Sequence, residues 1–273
     1  MGALKALLWD VDGTLAETER DGHRVAFNRA FEACGVPWRW DEAHYGGLLA
    51  ITGGRERLLF DMQQRADAPP EPERDTLARA LHARKNAFYA EIVNAGAIPL
   101  RDGVQALMQQ CEGQGVRMGI ATTTSRSNLD ALLRMHLGPH WAGRFAVTLC
   151  GEDVQRKKPD PEVYLKALGA LGIDAPDAVA IEDAPAGVAA ARAAGVAVVV
   201  TRSAYFLASP VEGAMAIGPG LHDRRGWLPA LPGCGGSVAG VGLDDLQAWH
   251  AQQGLNLEMA VDRSPPLDTP HGY

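Results

Sequence analysis

Five short apolar runs set among amphipathic stretches constrain this chain more than any other feature of its sequence. They are "ALKALLW" (residues 3–9), "VRMGIAT" (116–122), "FAVTLC" (145–150), "DAVAIED" (177–183) and "VAVVVT" (196–201). Runs this short and continuously apolar suit parallel strands covered on both faces. Helical patterns lie between them: "RDGVQALMQQCEGQ", "RSNLDALLRMH", "DPEVYLKALGALG" and "APAGVAAARAAG". Strands and helices alternating at these lengths predict βαβ units and an α/β, Rossmann-like parallel sheet. The alternation is interrupted once. Between residues 19 and 94 no strand-like run occurs, and Val25, Phe27, Ala30, Phe31 and Cys34 recur near helical spacing. From Asp75 a further helix is expected to carry Leu77, Leu81, Phe88 and Ile92 along one face. A helical insert therefore splits the sheet-forming sequence after its first strand. Beyond Arg202 the pattern weakens, with "DDLQAWHAQQG" expected as a terminal helix.

Composition narrows the function classes. The 273 residues are 47% hydrophobic and carry a net charge of −7, enough for a large core and poorly matched to nucleic acid or anionic membranes. No apolar run approaches the roughly 20 residues that a bilayer requires. No secretory signal is expected from "MGALKALLWD". Cys34, Cys111, Cys150 and Cys234 are far apart, so reduced cysteines and a cytoplasmic location are expected rather than a disulfide framework or zinc site. A small-molecule partner and a monomer fit this balance.

The first apolar run ends on Asp10-Val11-Asp12-Gly13-Thr14. Two carboxylates one residue apart repel and raise each other's pKa unless a cation lies nearby. In open α/β sheets ligands bind beyond the carboxyl ends of the strands. The segments after the other runs are thus informative: Thr122-Thr123-Thr124-Ser125, Arg156-Lys157-Lys158-Pro159, and Glu182-Asp183 ahead of Ala184-Pro185. Acid, hydroxyl, base and acid converge on one rim, as a site for an anion and a divalent metal would require. Strand alternation would aim Asp10 and Asp12 into one crevice. With Asp183 they would form a hard oxygen nest suited to Mg²⁺. One carboxylate could then attack phosphorus as a nucleophile. Thr122 and the amides after it would bind phosphoryl oxygens, with Lys158 as a point charge.

"DVDGT", the Thr after "GIA", "KKPDPEVY" and "IEDAPAGVAAARAAG" together resemble, in order, the four motifs of the haloacid dehalogenase superfamily. The resemblance covers roughly residues 1–205. It implies a nucleophile at Asp10, a general acid and base at Asp12, and Mg²⁺ held by Asp10, the Asp12 carbonyl and Asp183 with help from Glu182. The insert resembles the helical cap of the β-phosphoglucomutase-like branch, implying a core of residues 1–16 and 95–255, a cap of 17–94 and a tail of 256–273. "DVDGTLAETE", "HRVAFNRAF", "TGGRER" and "IATTTS" resemble the CbbY-type phosphatases, which act on xylulose-1,5-bisphosphate in Calvin-cycle operons. That likeness implies a phosphorylated sugar contacted by His23 and Arg55, with Glu17, Gly53 and Gly54 nearby. Arg55 stands where "TGGKER" would place Lys, which keeps the charge and changes the donor geometry. A bisphosphate needs a second anion site. Arg55 is the expected cap ligand, with His23 and Arg126 as helpers, while Thr122, Thr123 and Lys158 hold the reacting phosphate.

Rival readings are separable. A sugar phosphomutase shares the motifs but returns the phosphoryl group to a sugar, and a phosphatase for another small monoester differs only in the cap. A dehalogenase releases a stable halide and needs no proton donor at Asp12. A receiver-type signalling module would not interrupt its sheet with a helical insert. Taken singly, Asp10 and Asp12 could serve as turn or cap residues, and Lys158 as a solvated loop charge.

Overall fold

The computed structural model describes residues 3–231 and 240–262, the residues from 254 onward by backbone alone. Cys234 and residues 263–273 of the expected tail lie outside the described residues. Six strands form one parallel sheet: β1 (Ala6–Trp9), β2 (Arg117–Ala121), β3 (Val147–Leu149), β4 (Ala178–Glu182), β5 (Ala197–Thr201) and β6 (Ala216–Gly218). Their spatial order is β3-β2-β1-β4-β5-β6, so β1 is central and the order reverses beside it. The crevice at that reversal lies beyond the carboxyl ends of β1, β2 and β4.

Period-2 alternation divides the core between the two faces of the sheet. Leu7, Trp9, Met118, Ile120, Val179 and Ile181 pack with α5 (Val104–Gln114), α6 (Arg126–Leu137) and α9 (Leu243–Asp262). Ala6, Leu8, Ala178, Ala180, Val198 and Val200 face α7 (Glu162–Leu171) and α8 (Pro185–Ala193). The sheet is thus a layer between two sets of helices. Two elements differ from the sequence reading. β6 is three residues long and has too few positions to show a period. The terminal helix runs to Asp262, past residue 256 where a tail was expected. Among the described residues, no helix is long and apolar enough to cross a membrane.

Between β1 and β2 lie a π-helical turn (Glu19–His23) and the helices α1 (Arg24–Ala33), α2 (Glu42–Leu48), α3 (Gly54–Gln64) and α4 (Glu71–Asn94). This cap has its own core, in which Phe27 and Phe31 pack on Trp40 at centroid distances of 4.7 and 5.0 Å. Cys34, placed on the apolar face by its spacing, is exposed because α1 ends at Ala33. Along α4 the fully buried face is Ala78, Leu81, Lys85, Tyr89 and Val93, whereas Leu77, Phe88 and Ile92 are only partly buried. The spacing of residues places the apolar stripe correctly to within one residue, but it hides a lysine inside that stripe. The chain crosses between sheet and cap twice, where Ala16 bridges Leu100 and the Arg101 amide donates to the Leu15 carbonyl at 2.8 Å.

Candidate active site

Asp10 is the first residue beyond β1, and its amide donates to the Ile181 carbonyl of β4 at 3.0 Å. That bond fixes the carboxylate above the central strands. Lys158 Nζ donates to Asp10 Oδ1 and Glu182 Oε1, each at 2.6 Å. Glu182 Oε1 also accepts the Tyr164 hydroxyl, and the Lys158 ammonium lies 5.2 Å from the centroid of the same tyrosine ring. Asp183 accepts the Ser203 hydroxyl at 2.6 Å. Among the described residues, Asp10, Glu182 and Asp183 form the acidic cluster whose carboxylate oxygens come within 4.8 Å of one another.

All three are buried, and burial governs the titration of Asp10 and Asp183. It pushes the Asp10 carboxyl up to about 8, partly opposed by Lys158 and reinforced by Glu182. Burial, with the Asp10 and Glu182 charges, likewise raises Asp183 well above the carboxylate range. Burial alone would lower Lys158, but Asp10 and Glu182 more than reverse it. The Lys158 ammonium thus serves two of the three buried carboxylates, and Asp183 has no hydrogen bond from it. A hard divalent cation on Asp10 and Asp183 would remove the remaining repulsion, and the all-oxygen donor set fits Mg²⁺. Glu182 commits one oxygen, Oε1, to both Lys158 and Tyr164.

The Asp12 carboxylate is not in this cluster, contrary to the alternation argument. β1 ends at Trp9, and residues 10–16 turn back on themselves through the Asp12–Ala16 bridge, so strand periodicity no longer applies. The carboxylate instead accepts Thr18 Oγ1 at 2.6 Å and bonds to His23 Nε2 at 2.9 Å. Burial tends to raise its pKa, but His23, the Thr18 hydroxyl and the more distant Lys85 hold it well below the ordinary range. His23 is itself buried and stacks on Tyr89 at 4.2 Å. The two aspartates therefore occupy different environments, one facing the strand ends and the other the cap.

A cavity of about 740 Å³ opens between strand ends and cap and is lined by Asp10, Asp12, Thr122, Thr123 and Lys158. Thr122 Oγ1 accepts the Thr124 amide at 3.3 Å, and the Ser125 side chain makes no capping bond to α6. His23, Gly53, Gly54 and Arg55 also line the cavity; Glu17 and Arg126 do not. Glu17 accepts the Ala204 amide at 3.2 Å, away from the cavity. Arg126 is 52% exposed and paired with Asp153. It is the first residue of α6, and its guanidinium meets Asp153 rather than the cavity where a helper at the second anion site was expected. Arg55 is committed to Asp75 and 41% exposed.

The first of the adjacent glycines is required by its backbone conformation. Gly53 has φ +98°, and a Cβ there would lie 2.2 Å from Glu56 Oε2 and 2.5 Å from Lys157 Nζ. This is where cap and core touch: Lys157 pairs with Glu56 at 2.7 Å, and Thr52 Oγ1 donates to the Lys158 carbonyl. Sequence reading missed Lys85, which is 3% exposed and lines the cavity. Its ammonium lies 5.1 and 5.3 Å from the Phe27 and Tyr89 ring centroids, and its hydrogen bond, to Asn86, is long at 3.4 Å. Burial lowers its pKa to about 8, against the opposing charges of Asp12 and Glu19. A signal was available, since Lys85 falls four residues after Leu81 and four before Tyr89 on one helical face.

Comparison with known proteins adds four findings. The model of the haloacid dehalogenase-like hydrolases matches residues 4–195. The plasmid CbbY protein of Cupriavidus necator is 43% identical over 252 residues, covering 90% of this chain and 97% of that protein. The crystal structure of CbbY from Rhodobacter sphaeroides with phosphate superposes with a TM-score of 0.72 at 39% identity, covering 77% of this chain and 92% of that one. A mutant of the same Rhodobacter protein, crystallised with xylulose-1,5-bisphosphate, has a TM-score of 0.72 at 38% identity over 77% and 92% of the two chains.

Proposed function

Because the chain belongs to the CbbY-type branch of the haloacid dehalogenase-like hydrolases, we propose that it is a Mg²⁺-dependent phosphatase of sugar bisphosphates, with xylulose-1,5-bisphosphate as the leading substrate. It would work in the cytoplasm alongside the Calvin cycle. The observation that carries this reading is the separation of the two aspartates. Asp10 sits with Lys158 against the acidic cluster, while Asp12 is held by His23 and Thr18 on the cap side.

Each residue then has a chemical role. Asp10, the Asp12 carbonyl and Asp183 would hold Mg²⁺, which when bound neutralises the carboxylates and the phosphoryl oxygens. Thr122, Thr123 and Lys158 bind the reacting phosphate. An Asp10 oxygen attacks phosphorus as the bond to the sugar oxygen breaks, and protonated Asp12 gives its proton to that oxygen. In the second half, the Asp12 carboxylate takes a proton from water, the water oxygen bonds to phosphorus, and the Asp10–phosphorus bond breaks. His23 and Thr18 favour the ionised form of Asp12, the form required in that second half. The cap covers the cavity and limits water access before the intermediate forms.

The test is phosphate release from a panel of sugar monophosphates and bisphosphates. Turnover should vanish on chelation and return with Mg²⁺. Full activity after exhaustive chelation would overturn the mechanism, and labelled phosphate returning to a sugar would identify a mutase.

We assign the second phosphate to Lys85, which is buried in the cavity wall with only a long hydrogen bond to Asn86, ahead of Arg55, which is 41% exposed and shares Asp75 with Arg79. A charge-assisted contact contributes about 1.5–3 kcal/mol. Lys85→Met is thus expected to raise KM for a bisphosphate roughly 10- to 100-fold, since each 1.4 kcal/mol is about tenfold. Arg55→Ala should change it far less. Lys85 loses its charge as pH rises through about 8. The bisphosphate KM of the wild type should climb in that range, and the variant should lack this limb. Equal KM changes for monophosphate and bisphosphate would remove Lys85 from the distal site.

A further inference from the structure

Arg101 lies outside the cavity, at the second crossing between cap and core, with a side chain only 14% exposed. Its guanidinium donates to carbonyls from three separate segments. Nη1 reaches the Gly13 carbonyl and that of Thr201 at 3.2 Å, while Nη2 reaches those of Arg202 at 2.6 Å and Pro219 at 3.2 Å. Nη1 also meets Thr201 Oγ1 at 3.3 Å, and Nε stands 3.8 Å from Glu17 Oε1. Glu17 in turn accepts the Ala204 amide. Few side chains other than arginine present a rigid fork of five donors able to serve so many acceptors at once.

The acceptors matter because of what they carry. Gly13 follows Asp12 in the turn beyond β1, and its backbone packs directly on the acidic cluster. A Cβ on Gly13 would lie 2.0 Å from Asp183 Oδ2 and 3.2 Å from the Ser203 Cβ. Ser203, which orients Asp183, follows the Arg202 carbonyl that Arg101 holds. One side chain thereby ties the turn bearing Asp12 to the segment that aims Asp183. The same residue anchors both crossings, since its amide bonds to Leu15 and the Ala16–Leu100 bridge adjoins it.

We propose that Arg101 is a positioning residue that holds the Asp12–Gly13 turn against Asp183 and Ser203, so that the metal nest is preorganised and cap movement pivots on the cap side of the two crossings. The inference rests on the metal reading above. It assigns Glu17 to this hinge rather than to the substrate.

The test is calorimetric titration of Mg²⁺ into wild type, Arg101→Lys and Arg101→Gln, without substrate, alongside hydrogen exchange of residues 12–18. Arg117→Lys, which loosens a carbonyl contact to Leu171 elsewhere, is the control. Arg101→Gln should weaken Mg²⁺ binding about 10- to 100-fold, the usual range for partners of metal ligands. Arg101→Lys should fall between Gln and wild type, and exchange at residues 12–18 should quicken in both. Should the Gln variant fail to fold, the Lys variant decides. A folded Arg101 variant that binds Mg²⁺ within twofold of wild type, even one that melts earlier, overturns the proposal and leaves the function intact. Wild-type protein that takes up no Mg²⁺ overturns the metal reading instead, and the exchange measurement still reports whether Arg101 holds the turn.

Discussion

Asp10→Asn is expected to reduce turnover roughly 10⁴- to 10⁶-fold, the range seen when a nucleophile is removed from a concerted site. The amide is nearly isosteric but cannot attack phosphorus. The fold should survive, because Lys158 keeps its 2.6 Å bond to Glu182 and the change removes a carboxyl that burial disfavours as an anion. Without added metal the variant should therefore melt no lower than wild type. Acid-quenched reactions with a labelled phosphate ester should leave label on wild-type protein and none on the variant. Label on Asp10→Asn would show that another residue is the nucleophile.

Asp12→Asn should lower kcat about 10²- to 10⁴-fold on a sugar phosphate, the usual scale for a general acid or base. Formation of the intermediate gives a sharper test. A sugar oxygen leaves as a poor anion and needs a proton, whereas a nitrophenolate leaves without one. Single-turnover labelling of the enzyme should thus be much slower in the variant with the sugar ester and nearly unchanged with the nitrophenyl ester. Equal slowing with both would mean that the Asp12 carboxylate supports the turn rather than transferring a proton. His23 and Thr18 hold that carboxylate in wild type.

The positions of Asp10, Thr122, Lys158 and Asp183 were legible because each follows an apolar run at a strand end. In a parallel sheet all such ends lie on one rim, so linear order converts into convergence without knowledge of the side-chain geometry. The cap was legible as an interruption of that order. The contacts made by Arg55, Arg126 and Glu17 were not legible, for a common reason. Each is charged and adjacent to a motif, but whether a long charged side chain reaches a cavity depends on its partners, here Asp75, Asp153 and the Ala204 amide. Those partners are 20, 27 and 187 residues away in the chain.

By itself, then, the sequence determined the parallel sheet, the helical insert and which strand ends bear acid, hydroxyl and base, since these follow from local period and order. Tertiary structure alone decided that Asp12 turns to His23 while Asp10 stays with Lys158 and Glu182. It also decided that Lys85 lies buried over Phe27 and Tyr89, and that Arg101 joins Gly13 to residues 201, 202 and 219. These outcomes depend on which groups meet after burial. A charge withdrawn from water takes the partners that packing brings within hydrogen-bond distance, and spacing along the chain does not encode that choice.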